Sequence, residues 1–434
     1  MSAGAVAQTA VPYRVTTALC ALTCALAPAY TVRWHIGFYP TTLLEGAILA
    51  SVVAYVIETV RERQSVALRS PLVLPTILFL IAGAIAVVTA PSRIAGLGLY
   101  RAYLIEPILF GFVLANTIRS PRRALIVVGG LAAGAAVAGL ANSIVVLVAL
   151  LQHAYDVTQT PPVVIYSTAN AVALFVVPIV AVAGSLALHA RGIERLGGIA
   201  FFVIGVVVTA LSFSRGGYLA LAAVVAGLAL SHRRRLLLLG LAVLGAGGLA
   251  LVPPIRHRIL IETQNVYGNT VFSRLDLWSA AVRLIKERPL FGAGLSGFQT
   301  RSAPFFSHAN TTATFIDPHN IVLNFWVETG LLGLIAIVWI FVVGFQVSWR
   351  GWVRGALDWR PYQLGVLLAL VAVVTHGMVD VPYFKNDLSL EFWTLFGVIW
   401  AGTQWSTVSP THTAVRQPLT GPGRASEAFS SSES

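Results

Sequence analysis

Four segments of this chain carry polar residues that could form one site, and three of the segments carry residue types that suit the binding of a phosphate group. Arg215 lies in "SFSRGG" and Arg274 in "FSRLDLW", while His319 and Asn320 are adjacent in "FIDPHN" and Asp380 lies in "HGMVDVPYF". The planar guanidinium of arginine matches two phosphate oxygens at once, and a histidine changes charge near neutral pH. Two arginines and a histidine brought together would form a site for a diphosphate, with a group able to move a proton beside it.

Each of these residues also has a structural interpretation when it is taken alone. An arginine at a membrane boundary extends its charge to the lipid headgroups, and a histidine at the boundary needs no catalytic task. Glu328 lies nine residues after His319 and requires a partner if it is buried in the membrane. Arg101 in "YRAYLIEP", like the pair His376 and Asp380, fits a structural ion pair at least as well as a substrate contact. Convergence on one face of the protein would favour a site.

The composition indicates a membrane protein. Of the 434 residues, 57% are hydrophobic and only 11% are charged, and the mean hydropathy is +0.80. Soluble globular chains carry about 25% charged residues, so most of this chain is not soluble. Its two cysteines, Cys20 and Cys24, lie four residues apart in one apolar run. This spacing is typical of one helix face and excludes a disulfide framework or a cysteine metal site.

The apolar segments predict about twelve transmembrane helices, since a helix needs about 18 or more apolar residues to cross a bilayer. One segment is shorter than this and another is long enough to tilt. The predicted spans are 14–32, 41–59, 72–90, 101–118, 124–151, 168–188, 197–213, 216–230, 236–252, 319–347, 362–380 and 388–404.

Arginine placement predicts the orientation of these spans. With the N-terminus inside, the inner loops are "RERQSVALR", "RSPRR", "HARGIER", "SHRRR" and "WRGWVRGALDWR", and each holds two or three arginines. The short outer loops hold at most one basic residue each, as the positive-inside rule requires. The net charge of +12 is therefore mainly a topology signal, which excludes a nucleic-acid-binding surface. Both termini are expected in the cytoplasm.

This topology leaves one large extracytoplasmic loop, residues 253–318, between the ninth and tenth spans. We therefore divide the chain into a transmembrane domain over 1–404 and a tail over 405–434. The tail is polar and rich in Ser, Gly and Pro, a composition that predicts a disordered cytoplasmic segment.

The loop contains "FGAGLSGF" (291–298), whose three glycines have the G-x-G-x-x-G spacing of a dinucleotide-binding turn. Upstream lies a predicted amphipathic helix on the membrane surface, with an apolar stripe of Leu275, Trp278, Val282 and Ile285. A dinucleotide site needs a strand before the glycines, and here a helix precedes them outside the cell. The context excludes a dinucleotide site and favours a compact turn that packs against the membrane domain.

Two helix starts are predicted beside the candidate cations. Ser273 suits an N-cap, which would make Arg274 the first residue of the amphipathic helix, at an anion-binding end. Asp317 suits an N-cap as well, with Pro318 at the first helical position and His319 directly after it.

The order of these motifs resembles that of the O-antigen ligase and polymerase superfamily. That family has an Arg and a Trp before "PLFGxGxGxF", then a "HN" pair and "ExGxxG"; here "SRLDLWSAAVRLIKERPLFGAGLSGF" is followed by "DPHNIVLNFWVETGLLG". "SFSRGG" and "HGMVDVPYFKNDLSLEFW" match as well, so the resemblance covers roughly residues 160–400. "STANAVALF" departs from it by keeping only Asn170 of an Asn-Pro-Asn motif, and Ser296 departs where the family usually has a further glycine region.

The resemblance implies an all-α, polytopic membrane glycosyltransferase that needs no metal and no other cofactor. Such proteins act on the outer face of the bacterial cytoplasmic (inner) membrane, where the donor is a glycan on undecaprenyl diphosphate and the acceptor supplies a hydroxyl. The family's essential residues carry over to the candidate catalytic residues Arg215, Arg274 and His319. Candidate substrate-binding residues are Asn320, Glu328, Asp380 and Arg101. His319 would remove the hydroxyl proton or orient the acceptor, and the arginines would stabilise the leaving diphosphate.

Other functions fit parts of this pattern. A ligase to a lipid core, a polysaccharide polymerase and a protein O-oligosaccharyltransferase share the motifs and differ in the acceptor. Twelve spans is also a common count for secondary transporters, but those tend to show repeated halves, and residues 1–217 and 218–434 show no repeat. A flippase or scaffold for lipid-linked sugars is the remaining alternative.

Overall fold

The computed structural model describes residues 12–37, 39–155, 161–260, 270–305 and 315–405. Within these ranges the fold is a bundle of α-helices with one short antiparallel hairpin, β1 (Arg33–Ile36) and β2 (Tyr39–Thr42). The predicted all-α membrane architecture is therefore confirmed. All of the predicted disordered tail except its first residue lies outside the described residues, as do parts of the predicted loop.

The helices are bounded by short turns, and side-chain hydroxyls cap many of them. Thr42, Ser120, Thr168 and Ser214 each accept a hydrogen bond from a backbone N–H in the first turn of the following helix. The helices are α1 (Arg14–Ala25), α2 (Leu43–Arg61), α3 (Val73–Thr89), α4 (Arg93–Tyr100), α5 (Glu106–Thr117), α6 (Pro121–Leu151), α7 (Ala169–His189), α8 (Gly192–Leu211), α9 (Arg215–Leu230), α10 (Arg235–Leu251), α11 (Pro253–Leu260), α12 (Thr270–Glu287), α13 (Phe298–Ser302), α14 (Ile321–Arg354), α15 (Arg360–Gly377) and α16 (Asn386–Trp405).

Every predicted span falls on one of these helices. A π-helical turn at Arg101–Ile105 joins α4 to α5, so that Arg93–Thr117 forms one continuous segment. In the described part of the chain, six segments are both long and apolar enough to cross a membrane: Leu43–Arg61, Arg93–Thr117, Pro121–Leu151, Ala169–His189, Gly192–Leu211 and Ile321–Arg354. The other apolar helices are shorter or less apolar, so the count of twelve spans stays a prediction.

Helix α7 forms the centre of the bundle. Nearly every residue from Ala169 to Leu186 is buried, because α6, α8, α9 and α15 surround it. Its sequence carries no charged side chain over that stretch, as a helix buried on all sides requires. One end of each neighbouring helix therefore lies near the N-terminus of α7, around Asn170.

Small residues allow other helices to approach closely. A side chain at Gly134 would meet the backbone of α1, whose Ala25 Cα would lie 3.2 Å from the added Cβ. Gly111 of α5 lies against α16 in the same way, with the carbonyl oxygen of Trp393 2.8 Å from an added Cβ. Small residues at such crossings are typical of membrane helices.

Helix α14 is broken near its start. Gly330 has φ 70° and ψ −177°, so Ile321–Thr329 forms a separate half-helix before the long remainder. The freed Leu331 N–H donates to the carbonyl of Leu290 (3.0 Å), and the Val327 carbonyl accepts from Ala293 N–H (2.7 Å). The segment that follows α12 therefore satisfies the backbone groups that the break exposes.

Two predicted helix starts are wrong. Helix α12 begins at Thr270, so Ser273 is not its N-cap and Arg274 is not its first residue. Helix α14 begins at Ile321, and its N-cap is Asn320 rather than Asp317. In both regions the sequence offers several capping residues within a few positions, so that the residue types alone do not define the helix start.

The predicted amphipathic helix exists as α12, but its buried face differs from the prediction. Leu275 and Val282 are exposed, whereas Leu277, Ala281 and Leu284 are fully buried, together with Ile285. These residues pack on the start of α14 and on the glycine turn. Of the predicted stripe, Leu275 and Val282 therefore face outward, whereas Trp278 is half-buried and Ile285 is buried. The location of α12 on the membrane surface stays a prediction.

Candidate active site

The candidate residues gather where α7 and α9 begin, α15 ends and the loop enters α14. Asp380 lies at the centre, in the turn after α15, and is 7% exposed. Its Oδ2 accepts a hydrogen bond from Asn170 Nδ2 (2.8 Å), and its Oδ1 accepts one from Val381 N–H (2.8 Å). A buried carboxylate with these bonds is a fixed negative charge. The predicted span 362–380 ends earlier than expected, because α15 ends at Gly377 and Asp380 lies beyond it.

His319 lies beside this carboxylate. Its Nδ1 is 3.5 Å from Asp380 Oδ1 and 3.1 Å from Asp317 Oδ1, ion-pair distances without the alignment of a good hydrogen bond. Its backbone N–H donates to Asp317 Oδ1 (2.9 Å), and the ring of Phe315 lies edge-on with its centroid 5.4 Å away. The imidazole is thus oriented by two carboxylates and an aromatic ring, and a quarter of its side chain is exposed.

The charges of these groups reinforce one another. Burial acts to lower the pKa of His319, but Asp317 and Asp380 outweigh it and raise that pKa to about 10. Burial acts to raise the pKa of Asp380, but His319 outweighs it and holds that pKa well below its usual range. We therefore expect His319 to be an imidazolium at neutral pH.

Asn320 fixes the position of His319. Its Oδ1 accepts hydrogen bonds from Val322 N–H (3.0 Å) and Leu323 N–H (3.1 Å), which caps α14. Its Nδ2 donates to the carbonyl of Met378 (3.0 Å), in the turn that leads to Asp380. Asn320 therefore ties the start of α14 to the end of α15, and the geometry assigns it a positioning role.

Arg274 of α12 belongs to the same group. It is half-buried, and burial lowers the pKa of its guanidinium, an effect that the charge of Asp380 partly offsets. A guanidinium stays protonated at any pH relevant to a protein. A second fixed cation therefore lies close to Asp380.

Arg215 begins the helix that packs against the end of α15. It is the half-buried first residue of α9, where Ser214 caps the helix by accepting from Gly217 N–H (3.2 Å). The next residue, Gly216, abuts α15: an added Cβ would lie 2.7 Å from His376 Nε2. The absence of a side chain at Gly216 thus brings the start of α9, and Arg215 with it, against the end of α15.

Glu328 and Arg101 are not part of this group. Glu328 Oε2 accepts a hydrogen bond from Ser296 N–H (2.6 Å), which holds the glycine turn against α14. Arg101 pairs with Glu45 (2.7 Å) and Glu106 (3.2 Å), and its guanidinium lies 4.4 Å from the centroid of Tyr39. Both residues have local partners that account for them, so the geometry favours structural roles.

The glycine turn has the form expected of a compact packing element. It follows α12 rather than a strand, and Gly292 and Gly294 have φ values of 61° and 76°. An added Cβ at Gly294 would lie 2.7 Å from Ala90 N and 2.8 Å from Ala86 O, at the end of α3. The turn therefore fits between α3 and α14 because glycine occupies its positions of closest approach.

Two residues of the group were given no site role by sequence reasoning. Asn170 was noted only as the remnant of a motif, yet it binds Asp380 directly. His376, which the sequence analysis interpreted as structural, interacts electrostatically with Asp380 and Arg274. It also packs on Gly216. The sequence did hold one indication that both residues belong to the site. Both lie near ends of predicted spans, and the predicted topology places those ends on the same face of the membrane.

Metal binding is a separate question. Across the described ranges, no cluster of three or more His, Cys, Asp or Glu side chains has a geometry that could hold a metal ion. Metal independence stays a prediction, to be tested by activity.

Residues 200–338 match the family model described as O-antigen ligase. The matched segment runs from α8 to the middle of α14 and includes Arg215, Arg274 and His319. A protein of Haemophilus influenzae named only as uncharacterized is 28% identical over 169 residues, which are 34% of this chain and 42% of that relative. The chain thus spans less than half of the length of this curated relative.

The resemblance to the O-antigen ligase superfamily is confirmed by this match. Helices of membrane-spanning length and the match together indicate a membrane protein that is similar to the O-antigen ligase family over residues 200–338.

Proposed function

We propose that this protein transfers a glycan from undecaprenyl diphosphate to an acceptor hydroxyl at the outer face of the cytoplasmic membrane. The observation that carries the proposal is the gathering of cations around Asp380. The charged imidazole of His319 lies 3.5 Å from this carboxylate, and the guanidinium of Arg274 is close enough to interact with its charge. Helix α9, which begins at Arg215, packs at Gly216 against His376 and Val379, just before Asp380 in the chain. Fixed cations at one end of an apolar helix bundle suit a lipid diphosphate, whose chain would occupy the membrane.

The reaction follows from this charge distribution. The acceptor oxygen forms a bond to the anomeric carbon, and the bond from that carbon to the diphosphate oxygen breaks. The electron pair stays on the diphosphate, where the cations stabilise the growing negative charge. The acceptor proton passes to a phosphate oxygen of the leaving group or to water.

The state of His319 favours a role in stabilising the diphosphate. An imidazolium held by Asp317 and Asp380 can donate a hydrogen bond to phosphate through its other nitrogen, but it cannot accept the acceptor's proton. A general-base role requires a neutral ring, and the two carboxylates oppose that state. The pH dependence of transfer distinguishes the two roles.

Purified protein in lipid nanodiscs, supplied with an undecaprenyl-diphosphate-linked glycan, tests the function. We expect each glycan gained by an acceptor to be matched by one released undecaprenyl diphosphate. His319→Ala should abolish most transfer, whereas His35→Ala, at an exposed histidine of β1, should not affect it. Movement of intact donor across the bilayer without cleavage would instead identify a transporter or flippase.

The acceptor is identified in the same assay by supplying a lipid core oligosaccharide, a second lipid-linked glycan or a protein in parallel. Ligase, polymerase and protein O-oligosaccharyltransferase activities give products of different mass. Transfer should survive EDTA, because fixed arginine and histidine charges take the role that a metal has in other diphosphate enzymes. Loss on EDTA treatment with recovery on adding Mg²⁺ would contradict this mechanism.

A further inference from the structure

A basic cavity lies at the end of the bundle opposite the candidate active site. It has a volume of about 490 Å³ and lies where α7 and α9 end, α8 begins and α14 approaches its C-terminus. Three arginines, two histidines, a serine and a tryptophan contribute to its lining, and no carboxylate lines it within the described residues. None of these side chains takes part in the proposed transfer reaction.

The floor of the cavity is fixed by hydrogen bonds and ring contacts. Ser231 Oγ donates to the carbonyl of Leu228 (2.7 Å), so His189 Nε2, which is 2.9 Å away, donates to Ser231. The ring of His189 lies 4.9 Å from that of Trp352 and 6.2 Å from that of His232. The floor is therefore an ordered polar surface.

The wall supplies positive charge that is not neutralised locally. Arg191 and Arg195 flank the first turn of α8, and Arg233 lies in the turn after α9; all three are exposed. The neighbouring carboxylate, Glu194, accepts a hydrogen bond from Tyr362 (2.9 Å) and does not line the cavity. An anion in the cavity would meet several donors and no competing acid.

The cavity lies at the level of lipid headgroups. Helix α7 has 21 residues and spans about 30 Å from Asn170 in the candidate active site to His189 in the cavity. That length equals the thickness of a bilayer's hydrocarbon core, about 30 Å. The two sites therefore face opposite leaflets. Trp352 at this level is typical of a side chain at the membrane interface.

We propose that this cavity binds the phosphodiester headgroup of an anionic phospholipid. The arginine forks match phosphate oxygens, and basic cavities between membrane helices are suited to anionic headgroups. The positive-inside rule accounts for arginines in this loop region, but it does not account for a concave site with an ordered His–Ser–Trp floor. The acyl chains would extend along the outer surfaces of α8 and α9.

Binding is tested on the purified full chain in detergent, by native mass spectrometry and by thermal stability. The probes are cardiolipin, phosphatidylglycerol, phosphatidylcholine and inorganic phosphate. We expect the two anionic lipids to bind and to raise the melting temperature, and the other two probes to have little effect. Arg195→Gln with Arg233→Gln should weaken anionic-lipid binding about 25-fold, at about fivefold for each arginine near a membrane surface.

The matched control removes the same charge elsewhere. Arg61→Gln with Arg69→Gln changes two exposed arginines of another loop that the topology places on the same face, and it should leave lipid affinity unchanged. Arg233→Gln alone, expected to weaken binding about fivefold, replaces the double variant if that variant folds poorly. The proposal would be overturned if phosphatidylcholine bound as tightly as the anionic lipids, or if inorganic phosphate raised the melting temperature as much as they do. It would also be overturned if the control variant lost as much lipid affinity as the cavity variant.

Discussion

His319 has a backbone conformation that histidine rarely adopts. Its φ of 48° is left-handed, and such a conformation costs on the order of 1–3 kcal/mol in a residue other than glycine. The surrounding bonds maintain it, since Asp317 accepts the His319 N–H and Asn320 caps the helix that follows. This backbone conformation points the imidazole toward Asp380. The local strain therefore accompanies a fixed orientation of the charged ring.

The pH dependence of transfer tests the charge on His319. Because its folded pKa is raised to about 10 from an ordinary value of 6.5, the ring stays protonated through neutral pH. We expect single-turnover transfer to be level between about pH 6.5 and 8 and to fall as the pH approaches about 10. The stabilisation from this ion pair is fully present below about 6.5 and is lost on the same alkaline side.

A parallel melting curve at each pH separates loss of charge from unfolding. A rate that rises with pH through about 6.5 would show that the neutral ring acts and would favour a general base instead. His319→Ala should lower transfer by roughly 10²–10³-fold, the effect of removing one donor to a developing anion, and should remove the alkaline fall.

Lysine should not replace either candidate arginine. Arg215→Lys and Arg274→Lys keep the charge but lose the planar fork that binds two phosphate oxygens. We expect each variant to lose at least tenfold in single-turnover transfer while inserting into the membrane normally. Arg283→Lys, at an exposed position of the same helix as Arg274, is the matched control and should be unaffected. Full activity of both lysine variants would mean that these arginines serve topology alone.

Among the elements, the glycine turn and the broken helix α14 form one unit. The break at Gly330 leaves helical backbone groups without helical partners, and Leu290 and Ala293 of the turn bind them. Glu328, from the half-helix, accepts a hydrogen bond from the Ser296 N–H. His319 lies directly before this half-helix, so the turn determines how rigidly the candidate site is held.

Gly294→Ala tests this dependence. Its φ of 76° and the 2.7 Å approach of Ala90 N leave no room for a side chain, so we expect a loss of stability of about 1–3 kcal/mol and reduced transfer. Gly245→Ala is the control, because this glycine lies within α10 with open space around it. Alanine favours a helix over glycine by about 1 kcal/mol, so the control should be neutral or slightly stabilising. Equal melting temperatures for both variants would show that the turn does not support the site.

The elements show what the sequence could and could not predict. Long apolar runs place the helices well, because burial in lipid leaves the backbone few other structures. The buried face of α12 was not predictable in the same way. Its two apolar faces compete, and the small Ala281 carries little signal although it is fully buried. The partnership of Asn170 with Asp380 joins residues 210 positions apart, which no local pattern encodes.

At the scale of the molecule, the candidate active site and the basic cavity lie at opposite ends of α7. The predicted topology assigns the first to the outside and the second to the cytoplasm, in agreement with the arginine distribution among the loops. An enzyme that uses a donor displayed on the outer leaflet needs its cations on that side. Orientation is therefore the property on which both proposals depend.

Cysteine labelling tests this orientation. The natural Cys20 and Cys24 are fully buried and should not react with the reagent. A cysteine introduced at the surface can therefore be labelled selectively without first replacing them. Thr300 is exposed in the predicted outer loop, whereas Ser302 beside it is buried and bonded to Phe298. Thr300→Cys should react with a membrane-impermeant maleimide in spheroplasts, and Ser65→Cys, exposed between α2 and α3, should react only after permeabilisation. The opposite pattern would place the cations of the candidate site in the cytoplasm, away from any outer-leaflet donor, and both proposals would then have to be reassigned to the other leaflets.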